Sequence, residues 1–171
     1  MSKGGSYEVD IGESLVGSYF KYVENCKIVV YNCQLEEEQG EIDVIALDQA
    51  GERVYLCEVA THLRGMLYGN GNNATLARVE HKIRRALRFA AQNFPERKCI
   101  FMLWSPVVSR GLAGGFARLA SSFADQGAEV QFIINKEYTA RIRRLMEVAR
   151  QNIKITDEPA FRLLQILEHL R

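Results

Sequence analysis

The sequence predicts an α/β fold with a mixed central sheet flanked by helices, and three observations carry that prediction. Residues 39–62, QGEIDVIALDQAGERVYLCEVATH, contain two runs rich in β-formers, 41–48 and 53–61. A polar break holding Gly51 separates them, as in a hairpin. After this hairpin, helical periodicity alternates with short, continuous apolar runs, the pattern of strands joined by helical crossovers. Finally, 171 residues that are 47% hydrophobic and 25% charged suit a single globular domain able to bury a substantial core.

Residues 1–9 show no periodicity and read as a flexible start. Asp10, with Glu13 three positions on, gives a capped helix beginning. Ile11, Val16, Phe20 and Val23 then recur at helical spacing, predicting a helix to about residue 25. KIVVY at 27–31 predicts a short strand. Residues 34–39, with Glu36, Glu37 and Glu38, predict a solvated loop. The hairpin follows. Residues 64–74, RGMLYGNGNNA, are irregular by composition and leave the end of the second hairpin strand, so they overhang it either as a mobile, substrate-contacting loop or as a plain connection.

The stretch 75–93 predicts a helix with Leu76, Val79, Ile83, Leu87, Ala90 and Phe94 on its apolar face. Arg78, His81, Arg85 and Arg88 occupy the opposite arc, and Lys82 falls at the border between the two. KCIFMLW at 98–104, between two prolines, predicts a central strand. A helix at 111–126, a strand at 128–134 and an arginine-rich helix at 136–151 come next. Pro159 opens a last helix, whose Phe161, Leu164, Ile166, Leu167 and Leu170 call for burial against a sheet edge or a second copy of the chain, as a homodimer.

Bulk composition narrows the functions. A net charge of +1 gives no global signature for nucleic acid, so any such binding must use a local patch. No apolar run approaches the roughly 20 residues needed to span a bilayer. MSKGGSYEVD lacks the hydrophobic core of a signal peptide, so the expected compartment is the cytoplasm, with no membrane partner. Cys26, Cys33, Cys57 and Cys99 form no C-x-x-C pair and read as reduced structural thiols.

The chemistry concentrates in the hairpin. With a side-chain period of two, Asp43 shares a strand face with Ile45 and Leu47, and Glu58 shares one with Val54, Leu56 and Ala60. Both acids stand in otherwise hydrophobic strand sequence, where an unpaired charge is costly. If the two faces meet, the carboxylates converge. At ~4 Å and an effective dielectric of about 20 they repel by ~4 kcal/mol. A divalent cation reverses that repulsion, and oxygen-only ligands favour magnesium or manganese.

GEID-x(14)-EV-x-T, spanning Gly40 to Thr61, resembles the active-site hairpin of the PD-(D/E)XK, or restriction-endonuclease-like, nuclease superfamily. Gly12, Glu13, Val16, Tyr19 and Phe20 are similar to the G-E-x-x-V-x-x-Y-F pattern of that family's first helix. The resemblance implies an αβββαβ core over about residues 10–135, with 136–171 as a C-terminal helical appendage. It also implies a metal-dependent nuclease acting on DNA. Asp43, Glu58 and the Val59 carbonyl would then bind Mg2+ or Mn2+, and Glu13 would assist.

One departure stands out. Ala60 occupies the place of the family's lysine, so another cation must orient the attacking water: Lys82 first, His62 second. Arg78, Arg85 and Arg88 would hold the nucleic-acid backbone. The alternative is a catalytically silent nuclease-fold module that binds nucleic acid or a protein.

Overall fold

Asp10 starts the first helix, α1 (Ile11–Tyr22), with a reciprocal capping box. Its carboxylate accepts the Gly12 N–H at 2.8 Å while the Glu13 carboxylate accepts the Asp10 N–H at 3.1 Å. The helix stops short of residue 25 because Asn25 turns left-handed at φ 53°. The computed structural model describes residues 9–35 and 39–171. Residues 1–8 of the expected flexible start at 1–9, and the acidic Glu36, Glu37 and Glu38, lie outside the described residues.

The chain continues as β1 (Ile28–Gln34), β2 (Glu41–Leu47), β3 (Arg53–Val59), α2 (Asn72–Asn93), β4 (Lys98–Ser105), α3 (Arg110–Asp125), β5 (Glu129–Ile134), α4 (Asn135–Gln151) and α5 (Pro159–His169). The order and type of these elements are those predicted, in a mixed α/β architecture. Asp48 ends β2 by accepting the N–H groups of Glu52 and Arg53 at 2.8 and 3.1 Å, which closes the hairpin turn.

The sheet order is β1-β2-β3-β4-β5. The first three strands pair antiparallel, and β3–β4 and β4–β5 pair parallel. Two parallel crossovers running in one direction put α2 and α3 on the same face of the sheet. Their layer buries Ile83, Leu103, Leu112 and Phe116. The opposite layer holds α1, α4 and α5 over Phe20, Trp104, Leu145 and Phe161, all at most 1% exposed.

The C-terminal helices within residues 136–171 pack on this layer. Tyr138, Leu145 and Ala149 of α4 and Phe161 of α5 belong to the same buried cluster as α1. Arg143, Arg144 and Arg150 occupy the exposed arc of α4, while Arg141 lies over the Tyr19 and Trp104 rings, and together they mask this apolar stripe in the sequence. On α5, Leu163, Ile166, Leu167 and Leu170 remain exposed. All four cysteines are free. Among the described residues, no helix is long and apolar enough to cross a membrane.

β1 runs past residue 31, where the sequence predicts its end. Tyr31 pairs with Val44 and Cys33 with Ile42, but Asn32 between them adopts φ 52° and leaves the ladder. Asparagine tolerates this left-handed geometry better than most residues. The kink redirects the strand: Tyr31 packs into the α1 layer, whereas Cys33 packs into the α2 layer. The residue of β2 facing this interruption is Asp43.

Candidate active site

The β2–β3 ladder ends at the pair Val44–Cys57. One register step further, Asp43 faces Glu58. There a side chain replaces the backbone ladder, as Asp43 Oδ2 accepts the Val59 N–H at 2.7 Å. Glu58 is held from its other side by the parallel pairing of β3 with β4, opposite Leu103. Both acids are nearly closed off from solvent, Asp43 at 9% and Glu58 at 5% exposure. Lys82 reaches down from α2 and forms an ion pair and hydrogen bond with Glu58 Oε1.

Lys82 thus pairs with Glu58 while its charge also acts on Asp43. Burial pushes the Asp43 carboxyl up to about 6. The Val59 N–H and the Lys82 charge oppose that rise, and the charges of Glu13 and Glu41 add to it. Burial also lowers the pKa of Lys82, against the upward pull of Asp43. The donor set consists of hard oxygen atoms carrying a surplus negative charge, which fits Mg2+ or Mn2+ in place of the ammonium now on Glu58.

Glu13 stands beside this pair. Gly12 makes the approach possible, since a Cβ there would lie 2.5 Å from Thr61 Cγ2. The first turn of α1 therefore abuts the end of β3. The Glu13 carboxylate is engaged by the Asp10 N–H and by the Asn32 side-chain amide, and burial raises its pKa. Its charge is felt at Asp43. Among the described residues, no three Asp, Glu, His or Cys side chains are grouped so as to hold a metal ion. The protein ligands available at Asp43 and Glu58 are accordingly a carboxylate pair with neighbouring backbone oxygen, the Val59 carbonyl being the one implied by the sequence.

The other expected residues separate. Ala60 is 3% exposed and packs in the apolar α2 layer with Met66, so the position of the family's lysine is walled in. His62 is exposed beyond the strand and meets the Tyr68 ring edge-on, with 6.3 Å between centroids. Arg78 and Arg88 lie on the exposed arc of α2. Arg85 instead donates to the carbonyls of Gln39 and Glu41 at 3.1 and 3.0 Å, so its guanidinium braces the β1–β2 connection. Glu80 and Arg84 form the expected i,i+4 pair at 2.7 Å.

Three residues near the site carry no prior assignment. Asn32 left one trace in the sequence, an amide inside a β-prone run. Thr75 left another, a hydroxyl in line with Val79 and Ile83 on the apolar face of α2, where it is fully buried. Tyr68 had no signal, since nothing in a Gly/Asn-rich loop says where one ring will settle. No protein-family model matches the chain, and no curated protein matches it either.

Proposed function

We propose that the protein is a metal-dependent phosphodiesterase, a nuclease acting on DNA, with Asp43 and Glu58 as its cation-binding carboxylates. The observation that carries this reading is a pair of adjacent buried acids with a single lysine between them and α2. A purely structural site has no need of a second buried carboxylate beside the first. A bound divalent cation supplies polarisation of the phosphate and a more acidic water.

The chain's own residues supply the rest. The Val59 N–H orients Asp43, and Asp43 and Glu58 bind the cation. Lys82, now paired with Glu58, would hold a proton or a phosphate oxygen beside these carboxylates if a cation took its place on Glu58. Glu13 adds negative charge from α1. Arg78 and Arg88 face solvent on α2, where cationic side chains suit phosphate contacts that are blind to base sequence.

A second reading, a silent module that binds nucleic acid or protein, draws on Ala60, a buried apolar residue where the resembled motif has a lysine. One experiment separates the two. Supercoiled plasmid is incubated with wild type and Asp43→Asn in Mg2+ or Mn2+, with Mn2+ affinity measured by calorimetry. The expected result is cleavage by wild type, slower by about 10²-fold or more in the variant, together with weaker Mn2+ binding. Equal Mn2+ affinity in the two proteins would sink the assigned site. Metal-independent DNA binding without cleavage would establish the silent module.

A further inference from the structure

We infer that Tyr68 is a positioning residue of this site, its ring fixed by Thr75 so that it holds the Lys82 ammonium against Glu58 and Arg78 at the rim. The loop that carries it is tied down despite its composition. Met66 is 3% exposed, and its N–H donates to the Val107 carbonyl at 2.9 Å. Two residues on, Tyr68 is gripped at both backbone groups by one side chain. Its N–H donates to Thr75 Oγ1 at 2.9 Å, and its carbonyl lies 3.1 Å from the same hydroxyl. The Gly71 carbonyl is also 3.1 Å from that hydroxyl, so its single proton is shared between two acceptors.

The ring then lies along α2 across residues four apart on one helix face. Arg78 Cζ is 4.8 Å and Lys82 Nζ 5.7 Å from its centroid. Two cations at that spacing repel one another, and an aromatic face attracts both. Lys82 is thus held from two sides, by Glu58 and by the ring. Asp43 lies near enough that its charge acts on the Tyr68 phenol after burial has done so. The ring stands at the junction of the loop, the helix and the carboxylates.

The consequence is a split that general loosening of the protein would not produce. Without the ring, Lys82 loses one of its two holds and yields Glu58 to a divalent cation more readily. Cation affinity therefore rises while cleavage falls. The metal and cleavage arms rest on the proposed function, so a metal-free arm is included.

In that arm, wild type, Tyr68→Leu, Lys82→Met and the double variant are unfolded in urea without metal. Coupling between the two sites of about fivefold in the folding equilibrium constant is expected. The same coupling should survive when Tyr68→Phe replaces wild type as the starting ring. In the second arm, calorimetry on folded protein should show Mn2+ binding ~2- to 10-fold tighter in Tyr68→Leu and unchanged in Tyr68→Phe. Plasmid cleavage should drop about tenfold in the leucine variant only. Thr75→Val, which frees the loop and keeps the ring, should shift Mn2+ affinity in the same direction and serves if Tyr68→Leu does not fold.

Additive effects of Tyr68 and Lys82 in the metal-free cycle would overturn the inference, as would weaker or unchanged Mn2+ binding in folded Tyr68→Leu or Thr75→Val. Failure of wild type to bind Mn2+ would reject the metal-site reading, while the urea cycle would still decide the role of Tyr68.

Discussion

The protein buries carboxylates next to a lysine in two places, and it treats them differently. On the α1 layer, Glu158 sits at the N-terminus of α5 with 8% exposure. One of its oxygens accepts the Tyr31 hydroxyl at 2.8 Å, and the other faces Lys21 Nζ at 3.4 Å. One buried acid has one lysine, one phenol and a helix end. Burial depresses Lys21, but the neighbouring Tyr22 and the carboxylates Glu158 and Asp157 outweigh it, so its pKa rises. On the α2 layer, Lys82 pairs with Glu58 while its charge also acts on Asp43; its pKa falls, and Asp43 is pushed up to about 6. The first cluster buries one carboxylate, Glu158, and leaves its second, Asp157, in solvent at the junction of α1, β1 and α5. The second buries both of its carboxylates, and that difference separates the proposed binding site from a brace.

The largest expected effect tests the lysines. Lys82→Met removes the counter-charge of two buried acids, and breaking a buried pair in this way costs about 3–5 kcal/mol of stability. Mn2+ should restore much of that loss, because it satisfies the same oxygens. Lys21 is 40% exposed, so Lys21→Met should cost less than ~1 kcal/mol and respond to no metal. Urea unfolding at pH 7.5 with and without Mn2+ makes the comparison. Equal losses in the two variants would erase the distinction between the clusters.

A smaller effect of opposite sign follows at Asp43. A rise from 3.8 to about 6 corresponds to roughly 3 kcal/mol of strain on the ionised folded protein. Asp43→Asn keeps an acceptor for the Val59 N–H and removes the charge. The metal-free variant should therefore be more stable than wild type by up to about 3 kcal/mol above pH 6. Wild type regains this difference as Asp43 takes up its proton, so the gain should fade as the pH is lowered from 6 towards 3.8. Unfolding midpoints of both proteins across that range measure it, and a gain independent of pH would point away from Asp43 ionisation.

Glu158→Gln gives a smaller change than Asp43→Asn and sharpens the contrast. Losing a charge-assisted partner of Tyr31 and Lys21 should destabilise the protein by about 1–2 kcal/mol. Mn2+ affinity should be untouched. A stabilising Glu158→Gln would mean that both clusters carry excess charge.

Much of this architecture was legible in the sequence. The order of elements could be read because apolar periodicity changes cleanly between strand and helix. Asp43 and Glu58 could be read because a carboxylate in the middle of a buried strand contradicts its surroundings, and Lys82 because it falls at the edge of the stripe on α2. What escaped depends on long-range geometry. Arg85 resembles its neighbours on the helical wheel, and only the folded β1–β2 connection offers it the carbonyls of Gln39 and Glu41. The role of α4 was hidden by its arginines. Tyr68 acquires its place from a hydroxyl seven residues away, an interaction that no periodicity encodes.

The kink at Asn32 has a consequence for the protein in concentrated solution. β1 is one of the two outer strands of the sheet and exposes Ile28 and Val30, a β-prone rim on which a second chain could lay a strand. A left-handed residue after Tyr31 breaks the flat row of backbone donors and acceptors, so an incoming strand finds a short template instead of a full-length one. The asparagine opposite Asp43 thereby also guards the open edge of the sheet against growth into a stack.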